Sequence, residues 1–235
     1  MTTLKIQYQT SDLVPPPYAH SIELELRWES DIQARFQLTY LGREDLSEEE
    51  IEDEGFTGQD DIELATSMPL LWLPEIQRLA KYTDQVEKTH LEESEDFWKI
   101  QFEEDEAFYP AQASFWSSFL QEIQQAIFEL GGIELPLHIE LSRSDQGHYH
   151  IHASFAQRSL SYEYPDGSII ALPWNKLNSL LREVYSGEFI YEEAVQEIPK
   201  RTGLYLSLGD GWWFEVGKSY LNSPRRVLKI FGLHE

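Results

Sequence analysis

The sequence predicts an α+β fold, with antiparallel sheets packed against a few helices. Three observations carry that prediction. Apolar and polar residues alternate at period two in many short runs; one long segment, 110–130, repeats at helical spacing; glycine- and proline-rich turns separate the runs. An N-terminal hairpin region and a C-terminal meander supply the sheets.

The first strand is expected at 4–9. Val14-Pro15-Pro16-Pro17-Tyr18 follows, and consecutive prolines favour a stiff, extended polyproline II connector. The run also fits the Pro-Pro-x-Tyr pattern that WW modules bind. Ile22, Leu24, Leu26 and Trp28, then Ile32, Ala34, Phe36, Leu38 and Tyr40, alternate with polar residues around Glu29-Ser30-Asp31, which predicts a hairpin. In the acidic segment 44–63, Ser47 before three glutamates predicts a short helix with a capped, acid-rich first turn. Gly55 and Gly58 end it, and the oxygen spacing of a calcium loop is absent. Pro74 opens a helix carrying Ile76, Leu79 and Ala80. Strands are expected at 86–92 and 97–102. The longest helix, 110–130, places Trp116, Phe119, Leu120, Ile123, Ile127 and Leu130 on one face and stops at Gly131-Gly132.

The second half predicts strands near 134–143, 148–156, 159–164 and 168–172, helices near 174–186 and 190–198, and a hairpin around Gly209-Asp210-Gly211. Val227–Phe231 is expected as a last strand. The charge balance divides the chain at the same place. Residues 1–131 hold 8 basic and 29 acidic side chains, a net of −21; residues 132–235 hold 10 and 13, a net of −3. The organisation is therefore an acidic half, 1–131, and a meander half, 132–235, either as two domains or as one compact domain.

The composition narrows the function. The net charge of −24 repels DNA, RNA and anionic membranes, whose recognition requires Lys and Arg at phosphates. It would steer a basic protein towards the chain; plain solubility is the alternative. The absence of cysteine removes disulfides, thiolate ligands and thiol nucleophiles. No apolar run has membrane-spanning length, and MTTLKIQYQT lacks the features of a secretory leader, so a cytoplasmic location is expected. No glycine-rich phosphate loop, GxGxxG, HExxH or GxSxG motif occurs.

Four of the seven histidines, His138, His148, His150 and His152, crowd into fifteen residues. Leu135, Leu137, Ile139 and Leu141 must face the same core as Tyr149, Ile151, Ala153 and Phe155, so paired residue numbers add to an even total. A loop of Asp145, Gln146 and Gly147 sets that total at 292. This predicts Glu140 opposite His152, Ser142 opposite His150, Ser144 opposite His148 and His138 opposite Ser154. A two-residue loop at Gln157-Arg158 then sets Glu163 opposite His152. The candidate site is Glu140, His150, His152 and Glu163 on one polar face. Imidazole and carboxylate suit a divalent metal; flanking carboxylates would instead raise a histidine pKa for a proton switch; a polar face without chemistry is the third reading.

Two further features stand apart. Trp212 and Trp213, near Tyr205 and Tyr220, offer either core packing or a stacking surface for a sugar or peptide. Arg225-Arg226 with Lys229 forms the one concentrated basic spot. The functional expectation is a non-catalytic interaction protein with an acidic surface and a basic protein as partner. The alternative is a metal-dependent, hydrolytic enzyme using Glu140, His150, His152 and Glu163.

Overall fold

A computed structural model of the chain describes residues 2–144, 146–199 and 202–233. Among the described residues the fold is α+β, built on two antiparallel sheets of five and six strands with five α-helices. The chain divides into two compact units, Met1–Glu134 and Leu135–Glu235. Among the described residues no helix is long and apolar enough to cross a membrane.

The N-terminal unit is a five-stranded sheet with a helical layer. Its strands are β1 (Thr2–Gln9), β2 (His20–Trp28), β3 (Ile32–Tyr40), β4 (Ile62–Met68) and β5 (Phe97–Phe102), in the order β4-β3-β2-β1-β5. The predicted hairpin forms with Trp28 opposite Ile32. Between β3 and β4 lies α1 (Glu48–Asp53), where the Ser47 hydroxyl and the Glu50 carboxylate make a reciprocal capping box. Two further helices, α2 (Leu73–Tyr82) and α3 (Ala113–Gly131), follow, the second closed by Gly132 in the left-handed conformation. Helix α3 buries Trp116, Phe119, Leu120, Ile123 and Ile127, and Phe128 meets Phe36 edge-on at 5.6 Å. The opposite face of the sheet is a charged grid in cross-strand rows. One row runs Glu63, Gln37, Glu23, Gln7, Lys99 and the next Ala65, Arg35, Glu25, Lys5, Gln101.

Two expectations change in this unit. The proline run is a turn rather than an extended connector: the Tyr18 and Ala19 amides both donate to the Pro15 carbonyl, at 3.0 and 3.1 Å. The reversal is required because β1 and β2 are antiparallel neighbours, with Gln9 opposite Ser21. The strand expected over 86–92 shrinks to Gln85–Val86. The ladder position goes instead to β4, whose alternation starts inside the acidic segment.

The C-terminal unit is the six-stranded sheet. Its strands are β6 (Leu137–Arg143), β7 (Gly147–Ser154), β8 (Ser159–Glu163), β9 (Ile169–Leu172), β10 (Leu204–Ser207) and β11 (Phe214–Glu215), in the order β9-β8-β7-β6-β10-β11. Helices α4 (Leu177–Val184) and α5 (Pro224–Ile230) complete it. Ile139, Leu141, Ile151, Leu160 and Leu206 form one core with Leu177, Leu180 and Val184 of α4 and Val227, Leu228 and Ile230 of α5. The helices therefore cover the apolar face of the meander.

Three expectations change here. Val227–Phe231 is helical, not extended: Pro224 starts α5 at a position where its missing N–H costs nothing, and Val227, Leu228 and Phe231 repeat at helical spacing. The helix expected over 190–198 reduces to one 3-10 turn, Tyr191–Glu193. Leu135, expected to face the core, lies outside β6 and is 89% exposed.

These burials have measurable consequences. Ile151→Ala removes a fully buried side chain and should cost about 2–5 kcal/mol, whereas Leu135→Ala should stay within about 0.5 kcal/mol of the parent. Denaturant unfolding of the two variants checks the contrast; equal costs would contradict the assigned register.

Candidate functional site: a histidine face on the six-stranded sheet

Strand pairing decides which polar side chains meet. In the β6–β7 hairpin the paired numbers add to 290: Leu141 faces Tyr149, Glu140 faces His150, Ser142 faces His148 and His138 faces His152. The expected total of 292 is off by two. The parity holds, so the apolar residues still point into the core, but each polar partner moves one place along the face. The turn explains the offset. The Gln146 amide donates to the Arg143 carbonyl at 3.0 Å, and Gly147, at φ 93°, follows as a bulge residue opposite Arg143. Gly147 thus belongs to the strand rather than to the loop. The expected loop also included Asp145, which lies outside the described residues.

The next turn shifts in the same sense. Ser154 pairs with Ser159, and Glu163 stands opposite His150 rather than His152. The loop holds four residues, Phe155–Arg158. The Gln157 amide is held by the Ser154 hydroxyl at 3.1 Å, Ala156 is buried, and Phe155 leaves the ladder to meet Trp174 edge-on at 5.2 Å.

The outcome is a denser cluster than the expected register builds. By backbone pairing His150, not His152, lies between Glu140 and Glu163. Glu163 nevertheless reaches diagonally to His152, with Oε2 2.9 Å from Nε2, a span that long side chains cover in a sheet. His138 enters from across the hairpin, its Nε2 3.0 Å from His150 Nδ1. One ligand atom from each of His138, His150 and His152 falls within 4.8 Å of the others. Glu140 stands beside two of them, 3.7 Å from His138 Nδ1 and 3.6 Å from His150 Nδ1. The rings stack: His138 lies 4.7 Å from His152 and 5.2 Å from His150, with interplanar angles of 12° and 21°. His148 continues the row, 6.4 Å from His150, and meets Trp213 edge-on at 5.9 Å.

His138 is the site residue that the sequence reading misplaced, opposite Ser154. The signal was available: a glycine that follows a type I turn sits in the bulge, and counting Gly147 as a strand residue moves His138 opposite His152. Of the tryptophan pair, Trp213 faces the histidine side while Trp212 packs, partly buried, against the core.

The electrostatics favour a neutral ring at the centre. Burial pushes the His138 pKa below the ordinary histidine value of 6.5; Glu140 opposes that shift and His152 and His150 add to it. At His138 the opposing pull of Glu140 and Glu163 does not outweigh burial. The folded pKa lies below the unfolded one, so the unfolded chain binds more protons below about pH 6.5. Stability from His138 is therefore complete above that pH and is lost as pH falls through the folded value.

No family model, curated protein or solved structure matches this chain.

Two measurements test the site's construction. In an NMR titration, the His138 ring should titrate with a midpoint below 6.5, and denaturant stability of the C-terminal unit should fall on acidification through that midpoint. Gly209 supplies an independent check. It has φ 82°, and a Cβ there would lie 2.8 Å from the His138 carbonyl oxygen. Gly209→Ala should cost at least about 1–2 kcal/mol and displace the ring resonances of His138; unchanged histidine shifts would show that this contact does not position the ring.

Proposed function

We propose that the C-terminal unit binds a divalent transition-metal ion through His138, His150 and His152, and that the bound ion serves hydrolytic chemistry. One observation carries the reading: three imidazoles from two paired strands bring ligand atoms within 4.8 Å of one another. Such nitrogen donors suit zinc, nickel or copper more than calcium or magnesium. Three protein ligands leave a coordination position for water, the pattern of catalytic rather than structural zinc sites. A metal at that position lowers the pKa of bound water and makes it a nucleophile at neutral pH.

The two carboxylates take a different part from the one their sequence positions suggest. Glu163 bonds His152 and Glu140 borders His138 and His150. Carboxylates that contact ligating imidazoles orient the rings and raise their basicity. In this reading Glu140 and Glu163 would hold the ligating rings in place, and a carboxylate beside the bound metal would be the group to take a proton from its water.

The interaction reading has less support. Part of the acidic segment's charge organises its own loop: Glu50 caps α1, Asp60 accepts from Arg43 at 2.7 Å, Asp61 accepts the Tyr40 amide and Glu54 the Tyr18 hydroxyl.

Calorimetric titration of the untagged chain with zinc and with nickel should show one equivalent bound. His138→Ala and His152→Ala should each weaken binding at least tenfold, and Glu163→Gln by roughly 10–100-fold, the range for lost outer partners. Absence of binding heat, or stoichiometric binding that survives the histidine double variant, overturns the site. Turnover of an activated ester by the zinc-loaded chain, abolished by a chelator, tests the hydrolytic part separately.

A further inference from the structure

We propose that a cleft between α4 and α5, on the helical side of the C-terminal unit, binds a small amphipathic carboxylate: one anionic head on a hydrocarbon body. The cleft measures about 520 Å³, within the range of small-molecule sites. Its floor is apolar, made by Leu172, Leu180 and Ile230, with the ring of Tyr162 beside them. The Tyr162 hydroxyl is already committed to the Ile230 carbonyl, so that ring offers mainly a hydrocarbon surface.

The rim is cationic. Lys176 precedes α4, and Arg226 and Lys229 stand three residues apart on α5, so both can project from one helix face into the cleft. None of the three forms an ion pair among the described residues. Some other cations are matched, as in Arg43–Asp60, Arg78–Glu75, Lys88–Glu95 and Lys218–Glu215, while Arg35, Lys99 and Arg182 have no ion pair among the described residues either; what distinguishes the rim is that its three cations border one apolar cleft. One carboxylate, Glu183, also lines the cleft, leaving an excess of two positive charges. An apolar floor beneath an unneutralised cationic rim complements a ligand with the same division. A bare anion would leave the floor wet, and a neutral hydrocarbon would leave the cations unpaired. A monocarboxylate with an alkyl body satisfies both. The basic spot at Arg225-Arg226 and Lys229 thus acquires an occupant, with Lys176 as the residue that its sequence position does not reveal.

The probe is octanoate, with octanol and acetate as controls, followed by amide chemical shifts of the full chain. Octanoate should shift resonances over 172–183 and 226–230, at least tenfold more tightly than either control. The charge-reversal pair Arg226→Glu and Lys229→Glu, both exposed positions, should weaken octanoate at least tenfold while leaving the thermal transition in place. Equal affinity for octanol removes the cationic rim from the proposal, and equal affinity for acetate removes the floor; either result overturns it. Shifts confined to other parts of the chain also overturn it. So does sedimentation showing that a second copy covers α4 and α5. Zinc binding at the histidine face is read by a separate titration, so the two sites stand or fall independently.

Discussion

Period-two burial in the six-stranded sheet is the constraint on which the rest depends. Ile139, Leu141, Ile151, Leu160 and Leu206 must all point towards α4 and α5, because a slip of one residue would expose the whole set. That requirement leaves the residues between them no choice of side. His138, Glu140, His148, His150, His152 and Glu163 occupy the other face whatever their own preferences. The histidine cluster is thus a consequence of core packing in strands whose alternate positions happen to be imidazoles and acids. Each buried aliphatic residue contributes roughly 1.5–3 kcal/mol. A single histidine–carboxylate contact on a half-exposed face contributes far less, so packing sets the geometry and the polar groups adapt to it.

The same constraint shows how much was legible beforehand. Parity is readable from the apolar pattern, and it assigned every polar residue of the site to the correct face. Registers two apart satisfy parity equally well, and only turn geometry separates them. At Arg143–Gly147 the decision rests on whether a glycine closes the loop or opens the strand. At Phe155–Arg158 it rests on Phe155 finding Trp174, a tertiary contact that no local pattern announces. Both turns resolve in the same sense, so the expected partners are displaced while the membership of the face is kept. The diagonal reach of Glu163 restores its contact with His152.

Misreadings elsewhere have a similar origin. Short apolar runs fit either a strand or a helix turn, and Val227–Phe231 becomes helical because Pro224 supplies a helix start and one face of α5, with Val227, Leu228 and Ile230, finds the core. The strand β4 is hidden by composition: Ile62, Leu64 and Thr66 alternate with Glu63, Ala65 and Ser67 at the end of a run dominated by acids. Long patterns fare better. Helix α3 has five turns of consistent periodicity and a glycine stop, and its limits agree closely with the expected ones.

The two proposed sites divide the C-terminal unit by layer. Sheet residues gather nitrogen donors on the face away from the helices; the helices gather cations over an apolar floor on the other side. At the histidine face burial holds the His138 pKa below its ordinary value, and the rings of His152 and His150, 4.7 and 5.2 Å away, act in the same direction. At the cleft Lys176, Arg226 and Lys229 have no carboxylate partner among the described residues. The imidazole cluster and the cationic rim are therefore the places where a bound ligand would find its partners already assembled, the metal in three clustered nitrogen donors, the carboxylate in cations above a surface already half withdrawn from water.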